Sequence, residues 1–250
     1  MIPNTAPSHW TDRKALFLDN PNRPAPLEVR VARMTDAALV RACKQLTVVA
    51  FDPGGTTGWS VMTIDHADLT SPKAPVHEGL RYWFQGQVDC GSQSGNAGDS
   101  ATANDYDLGI SETGEAAGAA ICENIVGANI AACGGPVAVV IEDFIIDPDR
   151  MNRGRDFLLP VRIQNRIEQL LWESRSTTLH IQQPSFAKTT VTDARLKAWG
   201  LWHEGHSSRH ARDADRHALT FLRTLRQKQS RIRAAFPVVA EAKKRGLLSA

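Results

Sequence analysis

The chain has 250 residues, of which 42% are hydrophobic, and a formal net charge of +2 at pH 7. This length supports one sizeable core, and the small net charge excludes nucleic-acid binding through total charge alone, so that any such binding requires local clusters of Lys and Arg. The four cysteines show neither metal-ligand pairs nor a small disulfide framework, which is typical of a reducing compartment. We expect no apolar run long enough to span a bilayer and find no signal-peptide core in the first residues, which predicts a soluble intracellular protein.

The first 46 residues are predicted to form an N-terminal extension. Residues 1–34 are rich in Pro, Asn and Arg, a composition that predicts a segment wrapping the surface or remaining partly mobile. Thr35 or Asp36 can then cap a short helix over residues 37–45, which leads into the first strand.

Three antiparallel strands are predicted next, and the first of them ends in an acid. Residues 47–51 form a β-branched apolar run that is typical of a strand buried on both faces, and Asp52 takes its last position. Pro53-Gly54-Gly55 predicts a tight turn that returns the chain as a second strand over 59–64. The partly alternating pattern of 81–88 predicts the third strand. Taken alone, Asp-Pro-Gly-Gly is equally typical of an ordinary turn.

A polar, glycine-rich stretch over about 89–118 is predicted to be a flexible surface insertion whose acids are solvated. Apolar residues at helical spacing predict a helix over 115–132, and a buried strand over 137–141 ends in Glu142. If this helix is a crossover connection, the first and fourth strands are parallel neighbours, which places Glu142 beside Asp52.

The following segment combines further elements with basic residues. An amphipathic helix is predicted over 158–174 and a fifth strand over 177–181, and Pro184 begins a helix whose first turns carry Lys188. Taken alone, Lys188 is typical of a solvated helix lysine. Three arginines in the loop after the fourth strand suit bidentate phosphate contacts: Arg150, Arg153 and Arg155.

The C-terminal part is predicted to be one long helix over about 212–228, followed by a basic tail over 229–250. Arg231 and Arg233 belong to a cluster of positive charge in this tail. Such a cluster is typical either of contacts to a nucleic-acid backbone or of a solvated face.

Acids therefore stand where apolar elements meet loops at three places: at Asp52, at Glu142, and in the segment from His210 to Asp213. Carboxylates at the ends of buried strands are costly unless they are paired, and a divalent cation is the usual partner of several that converge. Oxygen ligands without suitable Cys or His spacing favour magnesium or manganese over zinc.

The three segments resemble, in order and spacing, the acidic motifs of RuvC-type Holliday junction resolvases of the ribonuclease H-like superfamily, especially the compact bacteriophage version. The matching residues are Asp52-Pro53-Gly54 through Thr57-Gly58, Ile141-Glu142, and His210-x-x-Asp213-Ala214. The resemblance implies an α/β fold, with a central five-stranded mixed sheet flanked by helices, and a nuclease domain over 47–228. Two features depart from the family: the first turn is one residue shorter, and His210 stands where many members have an acid.

The resemblance also implies an activity and a metal site. The activity is that of a magnesium-dependent endonuclease that nicks four-way DNA junctions by phosphodiester hydrolysis, using two ions that manganese can replace. Asp52 is our candidate for the bridging ligand, with Glu142 and Asp213 as ligands of one ion each. Lys188 matches a basic residue near the scissile phosphate, and His210 is expected to position or protonate a water or to add a ligand.

Three further residues are weighed at this site. Asp143 and Asp215 are alternate ligands, although strand alternation should turn Glu142 and Asp143 to opposite faces. His217, one helical turn beyond Asp213, is expected to share the helix face without contacting the metals.

Members of this family are expected to act as homodimers on DNA in the cytoplasm of a bacterium or a phage-infected cell, with no membrane partner. The helix over 158–174 is a candidate for the shared face between two copies. Its apolar stripe is equally what packing onto the core requires.

Several alternatives remain open. Cutting of flaps or other branched DNA, and cleavage of RNA–DNA hybrids, are the nearest alternatives within the same fold. A module that binds nucleic acid without cutting it is disfavoured because all three acidic positions are retained. An actin-like or sugar kinase-type ATPase also carries Asp-x-Gly-Thr-Thr-Gly on a hairpin, but it requires a second domain and a second glycine-rich phosphate motif, for which this sequence offers no candidate.

Overall fold

The structure, a computed structural model, describes residues 23–90, 115–144, 158–202 and 209–248. The strands are β1 Gln45–Asp52, β2 Thr56–Asp65, β3 Leu80–Asp89, β4 Ala138–Glu142 and β5 Thr178–Gln182. The helices are α1 Leu27–Ala32, α2 Asp36–Lys44, α3 His66–Thr70, α4 Glu115–Cys133, α5 Leu159–Ser174, α6 Pro184–Thr190, α7 Asp193–Ala198, α8 Arg209–Arg226, α9 Gln229–Ala235 and α10 Pro237–Lys244, with a short 3-10 turn at Val76–Gly79.

The five strands form one mixed sheet in the order β3-β2-β1-β4-β5. β2 pairs with β1 and with β3 in antiparallel orientation, whereas β4 pairs with β1 and with β5 in parallel orientation. All five predicted strands are present, with ends that differ from the predictions by a few residues at most. The α/β fold with a central five-stranded mixed sheet flanked by helices is therefore confirmed, as is the parallel pairing of β1 with β4.

β1 lies at the centre of the sheet because both of its faces are apolar. Val48 and Ala50 pack into the core on one face, and Val49 and Phe51 pack into the core on the other; all four are fully buried. Successive side chains of a strand point to opposite faces, so a strand covered by helices on both sides requires an uninterrupted apolar run.

The two faces of the sheet are covered by different helices. α8, α2, α9 and α10 contribute to the core on one face, and α4 and α5 to the core on the other. α5 buries Ile163, Ile167 and Leu171, which recur every four residues and so form one stripe toward the sheet. The apolar stripe of α5 is thus used for packing within the chain.

Both ends of the described chain contain helices that were not predicted. In the N-terminal extension, α1 is such a helix and buries Leu27 and Val31. The predicted helix α2 is confirmed, and Thr35 caps it by accepting a hydrogen bond from the backbone N–H of Ala38. Residues 229–248, expected as a basic tail, form α9 and α10 and bury six residues in the core: Ile232, Ala235, Phe236, Val238, Val239 and Ala242. Basic residues stand between these apolar residues in the sequence. The apolar residues, which have the spacing of a helix, were therefore not recognised as a buried face.

α4 contradicts one expectation from the sequence. Its segment Ala116–Cys133, with a mean hydropathy of 1.3, is long and apolar enough by composition alone to cross a membrane. Ala119, Cys122 and Val126 of this helix pack into the core against the sheet and α5, although only 22% of the segment is buried. The predicted insertion before it is shorter at both ends, because β3 continues to Asp89 and α4 begins at Glu115; residues 91–114 lie outside the described residues.

Candidate active site

Asp52 and Glu142 end two neighbouring parallel strands. Phe51 of β1 is paired with Ile141 of β4, so the residues that follow each of them lie side by side at the same edge of the sheet. Asp52 is buried, with 7% of its surface exposed, and Glu142 is half-buried. The sequence prediction that β4 carries Glu142 to Asp52 is therefore met by the backbone register.

α8 reaches this edge by passing directly over β2. Gly58 is paired with Asp52 across the β1–β2 ladder, and a Cβ atom placed on Gly58 would lie 2.0 Å from the carbonyl oxygen of His210. Real side chains do not tolerate such a separation, so the close approach depends on a residue without a side chain. This contact brings the first turns of α8, with His210 and Asp213, to the ends of β1 and β4.

His210 and Asp52 form a hydrogen-bonded pair. His210 Nδ1 lies 2.7 Å from Asp52 Oδ2. Burial raises the pKa of Asp52, the hydrogen bond with His210 opposes this, and the negative charges of Glu142 and Asp213 raise it further. The pKa of His210 is raised chiefly by its hydrogen bond to Asp52. Asp52 therefore experiences the negative charges of Glu142 and Asp213, and its carboxylate is hydrogen-bonded to the imidazole of His210.

Glu142 is held by His217. His217 Nε2 lies 2.5 Å from Glu142 Oε2, and its Nδ1 lies 2.7 Å from Gln182 Oε1 at the end of β5. The imidazole is fully buried, so it connects β4, β5 and α8 without access to solvent. The prediction that His217 shares the helix face with Asp213 without contacting the metals did not include this contact with Glu142. His217 lies seven positions after His210, and this two-turn spacing on one helix face is the signal in the sequence.

Asp213 is surrounded by cations. Lys188 Nζ lies 3.4 Å and Arg209 Nε 4.0 Å from Asp213 Oδ2, and Arg216 contacts Oδ1. Arg216 also contacts Asp193 and donates from Nε to the carbonyl of Val191 at 3.1 Å. Asp213 is therefore fixed by a buried guanidinium on one side and faces Lys188, which is 43% exposed, on the other. The sequence analysis identified Lys188 but missed Arg216, although it lies three residues after Asp213.

The two alternate ligands, Asp215 and Asp143, make different contacts from the three main acids. Asp215 accepts a hydrogen bond of 2.7 Å from Trp83 Nε1 on β3, because it lies on a different side of α8 from Asp213. Burial raises the pKa of Asp215 to about 7. The backbone N–H of Asp143 donates to Gln182 O at 2.8 Å and extends the β4–β5 ladder by one bond. Neither contact brings these carboxylates to the pair formed by Asp52 and His210.

The predicted nucleic-acid contacts are only partly accounted for. Arg150, Arg153 and Arg155 lie outside the described residues. Arg231 and Arg233 lie on α9, which follows the C-terminal end of α8, and Thr178 at the start of β5 donates to the carbonyl of Ala235 at 2.7 Å. The acids lie at the other end of the parallel strands. The structure therefore does not bring Arg231 and Arg233 to the acids.

The donor set of the site suits a hard cation. Asp52, Glu142 and Asp213 offer carboxylate oxygens, which magnesium and manganese prefer. In the part of the chain that the structure describes, no three His, Cys, Asp or Glu side chains are grouped closely enough to hold a metal. Each of the three carboxylates instead contacts a basic side chain. The chemistry of the oxygen donors, and not a preformed cluster, is what fits such an ion.

Comparisons with known proteins give similarities to solved structures only. No protein-family model matches the chain, and no curated protein matches it. Among solved structures, the chain is similar to RuvC of T. thermophilus in complex with a Holliday junction substrate, with a TM-score of 0.44 and 14% sequence identity. The match covers 76% of this chain and 98% of the RuvC chain. At this level of identity the similarity concerns the backbone and not the side chains of the candidate site.

Proposed function

We propose that the chain is a metal-dependent endonuclease that cuts branched DNA, with four-way junctions as the preferred substrate. The observation that carries the proposal is the convergence of Asp52, Glu142 and Asp213, which come from β1, β4 and α8; the charges of Glu142 and Asp213 both act on Asp52. Three acids gathered at one edge of a buried sheet are costly unless they serve a cation or a reaction. The preference for four-way junctions is supported by the resemblance of the three motifs.

Asp52, Glu142 and Asp213 are the residues that would hold magnesium, or manganese in its place. Such ions lower the pKa of bound water and stabilise the charge that develops on the attacking and leaving oxygens. These roles follow from the chemistry of the three carboxylates.

The chain's own residues supply the remaining functions. Lys188, exposed beside Asp213, can bind a phosphate oxygen of the substrate. His210, 41% exposed and bonded to Asp52, can hold a proton and exchange it with solvent. His217 and Arg216 are buried and orient Glu142 and Asp213. Exposed groups thus contact the substrate, while buried groups fix the acids.

Cleavage mapping tests the proposal. The chain is incubated with magnesium and labelled four-way junctions, flaps, linear duplexes and RNA–DNA hybrids, and the nicks are mapped on each strand. We expect paired nicks in opposite strands of the four-way junction and slower cutting of the other substrates. Faster cutting of flaps or hybrids would assign the alternative specificity within the same fold. ATP hydrolysis without any nicking would overturn the nuclease assignment.

Paired nicking also requires two active sites on one junction, so we propose that the chain acts as a homodimer. Sedimentation velocity of the chain, alone and with a four-way junction, measures the number of copies. Two copies on each junction are expected. A single copy that nicks both strands at the parental rate would contradict the homodimer.

A further inference from the structure

Helix α8 carries two chemically different faces. One face holds the candidate site residues His210, Asp213 and His217. A second face carries arginines at steps of three, four or seven residues, the spacing that keeps side chains on one side of a helix. The arginines of this face are Arg209, Arg212, Arg216, Arg223 and Arg226.

Two of these arginines are engaged within the fold. Arg216 is buried and contacts Asp213. Arg226 donates to the carbonyl oxygens of Asp68 and Leu69 at 2.8 and 3.2 Å. Of the remaining three, Arg212 and Arg223 are half-buried, and the side chain of Arg209 is 80% exposed.

Aromatic rings hold the other two cations in place. The guanidinium of Arg212 lies 4.5 Å from the ring centre of Trp202, and Lys197 Nζ lies 4.6 Å from the same ring. The guanidinium of Arg223 lies 5.7 Å from the ring centre of Trp199. Such contacts orient a cation without neutralising its charge. The guanidinium groups of Arg212 and Arg223 therefore keep their positive charge and are held in a fixed direction beside the two rings.

This face is continuous with the candidate active site. A cavity of about 410 Å³ is lined by Asp213 together with Arg209 and Arg212. A second cavity, of about 480 Å³, is lined by Arg195 and Arg223 and follows the first along α8. A linear anion that enters at Asp213 would therefore meet cations along the length of the helix.

This region carries more basic than acidic side chains. Its acids are Asp193 and Asp213, which both contact Arg216, Asp215, on which Arg212 acts electrostatically, and Glu78, which lies 4.0 Å from His77. We call the cationic side chains of this region the α7–α8 basic surface; they are Lys188, Arg195, Lys197, Arg209, Arg212 and Arg223.

We propose that the α7–α8 basic surface binds the phosphate backbone of a duplex DNA arm that leaves the candidate active site along α8. Arg209 and Arg223 are 14 positions apart in the sequence. This spacing corresponds to about 21 Å of helix, or about six base-pair steps of duplex DNA. The inference rests on the proposed nuclease function and adds the path of the substrate.

A row of fixed cations suits a phosphate backbone better than an acidic protein partner. Protein interfaces depend on apolar or aromatic anchors that enter pockets of the partner. Here Trp199 is stacked on His77, with ring centres 4.5 Å apart, and Trp202 contacts two cations. The aromatic rings are thus occupied within the chain, and charge is what the surface presents.

The salt dependence of binding tests the inference. Binding of a labelled four-way junction is measured by fluorescence anisotropy in EDTA, over a series of salt concentrations, so that no cleavage is required. We compare the parent chain with Arg212→Gln/Arg223→Gln. The control, Arg41→Gln/Lys44→Gln, removes the same charge from exposed positions of α2. That helix ends where β1 begins, about 23 Å of strand away from Asp52.

Loss of two phosphate contacts should reduce the slope of log K against log salt by about two. We expect binding at least tenfold weaker at low salt for Arg212→Gln/Arg223→Gln, and the parental slope for the control and for Arg212→Lys/Arg223→Lys, which keeps both charges. Thermal unfolding of each variant separates loss of binding from loss of fold.

A parental slope in a folded Arg212→Gln/Arg223→Gln variant would overturn the inference while leaving nicking by the parent intact. Equal competition by poly-glutamate and by DNA would also overturn it. A parent chain that neither binds nor nicks DNA would overturn the proposed function itself.

Discussion

The carbonyl oxygen of His210 lies 2.0 Å from the position that a Cβ atom would occupy at Gly58. Two elements that are far apart in the sequence, the β1–β2 hairpin and α8, are thereby brought into backbone contact beside Asp52. The candidate site depends on this contact, because the contact positions the first turns of α8, which carry His210 and Asp213.

Gly58→Ala should displace the start of α8 and impair cleavage. The added methyl group cannot be accommodated beside a backbone carbonyl without movement, and overpacking of this kind costs about 1 to 3 kcal/mol. We expect at least a tenfold loss of nicking rate and a lower melting temperature. Gly127→Ala on α4 is the control, because a Cβ there meets nothing within 4 Å. A parental nicking rate in Gly58→Ala would show that the approach of α8 to β2 is not required.

His217→Ala should impair both stability and cleavage. The substitution removes the buried imidazole that contacts both Glu142 and Gln182. Loss of such a hydrogen-bond partner lowers the free energy of unfolding by about 1 to 3 kcal/mol. Isothermal titration with manganese should show weaker binding, because Glu142 is no longer oriented. His180→Ala on β5 is the control for loss of an imidazole, since the half-buried ring of His180 packs with its centre 4.7 Å from that of Phe221 of α8. Equal manganese binding in both variants would show that His217 does not position Glu142.

Arg216→Met should lower the free energy of unfolding far more than Asp193→Asn does. Asp193 is the other acid that the Arg216 guanidinium contacts. Breaking a buried ion pair by removing one member typically costs about 3 to 5 kcal/mol, because the remaining charge is left uncompensated. Asp193 is 63% exposed, so Asp193→Asn should cost less than about 1 kcal/mol. Urea unfolding of both variants gives the two values. Similar costs would show that Arg216 does not act through Asp213.

Asp215 should make stability depend on pH. Its pKa is about 7 in the folded chain, because of burial, and about 4 in an unfolded chain. The folded state therefore binds more protons between these values, so this group lowers the free energy of unfolding as pH rises from about 4 to about 7 and has no further effect above pH 7. Asp215→Asn should remove this dependence and gain stability at pH 8 relative to pH 4, by at most about 4 kcal/mol. Urea unfolding in EDTA measures it, and a parental pH profile in the variant would contradict the assignment.

The sheet and two of the three acids were predictable because their signals are local. β-branched runs mark the strands, Pro53-Gly54-Gly55 marks the hairpin turn, and a parallel crossover necessarily aligns the ends of β1 and β4. These relationships need only the chain order and the period of a strand.

Spacing along α8 indicates that His217 and Arg216 lie near the acids, but it does not predict which acid each of them contacts, because that depends on the rotation of α8 about its axis. His217 and Arg216 are adjacent in the sequence but contact different acids, and only the contact at Gly58 determines which face of α8 meets the sheet. The C-terminal helices were missed for a different reason. Ile232, Ala235, Phe236 and Val239 have helical spacing, but the basic residues between them dominate the composition.

The central claim is that Asp52, Glu142 and Asp213 act together as metal ligands for cleavage. Single-turnover nicking of a four-way junction in magnesium, measured beside junction binding in EDTA, tests it with Asp52→Asn, Glu142→Gln and Asp213→Asn. Each substitution keeps the size of the side chain and removes its negative charge, so we expect at least a thousandfold loss of nicking, with binding within about threefold of the parent. A nicking rate within a few-fold of the parent in any one variant would remove that residue from the site and contradict the account.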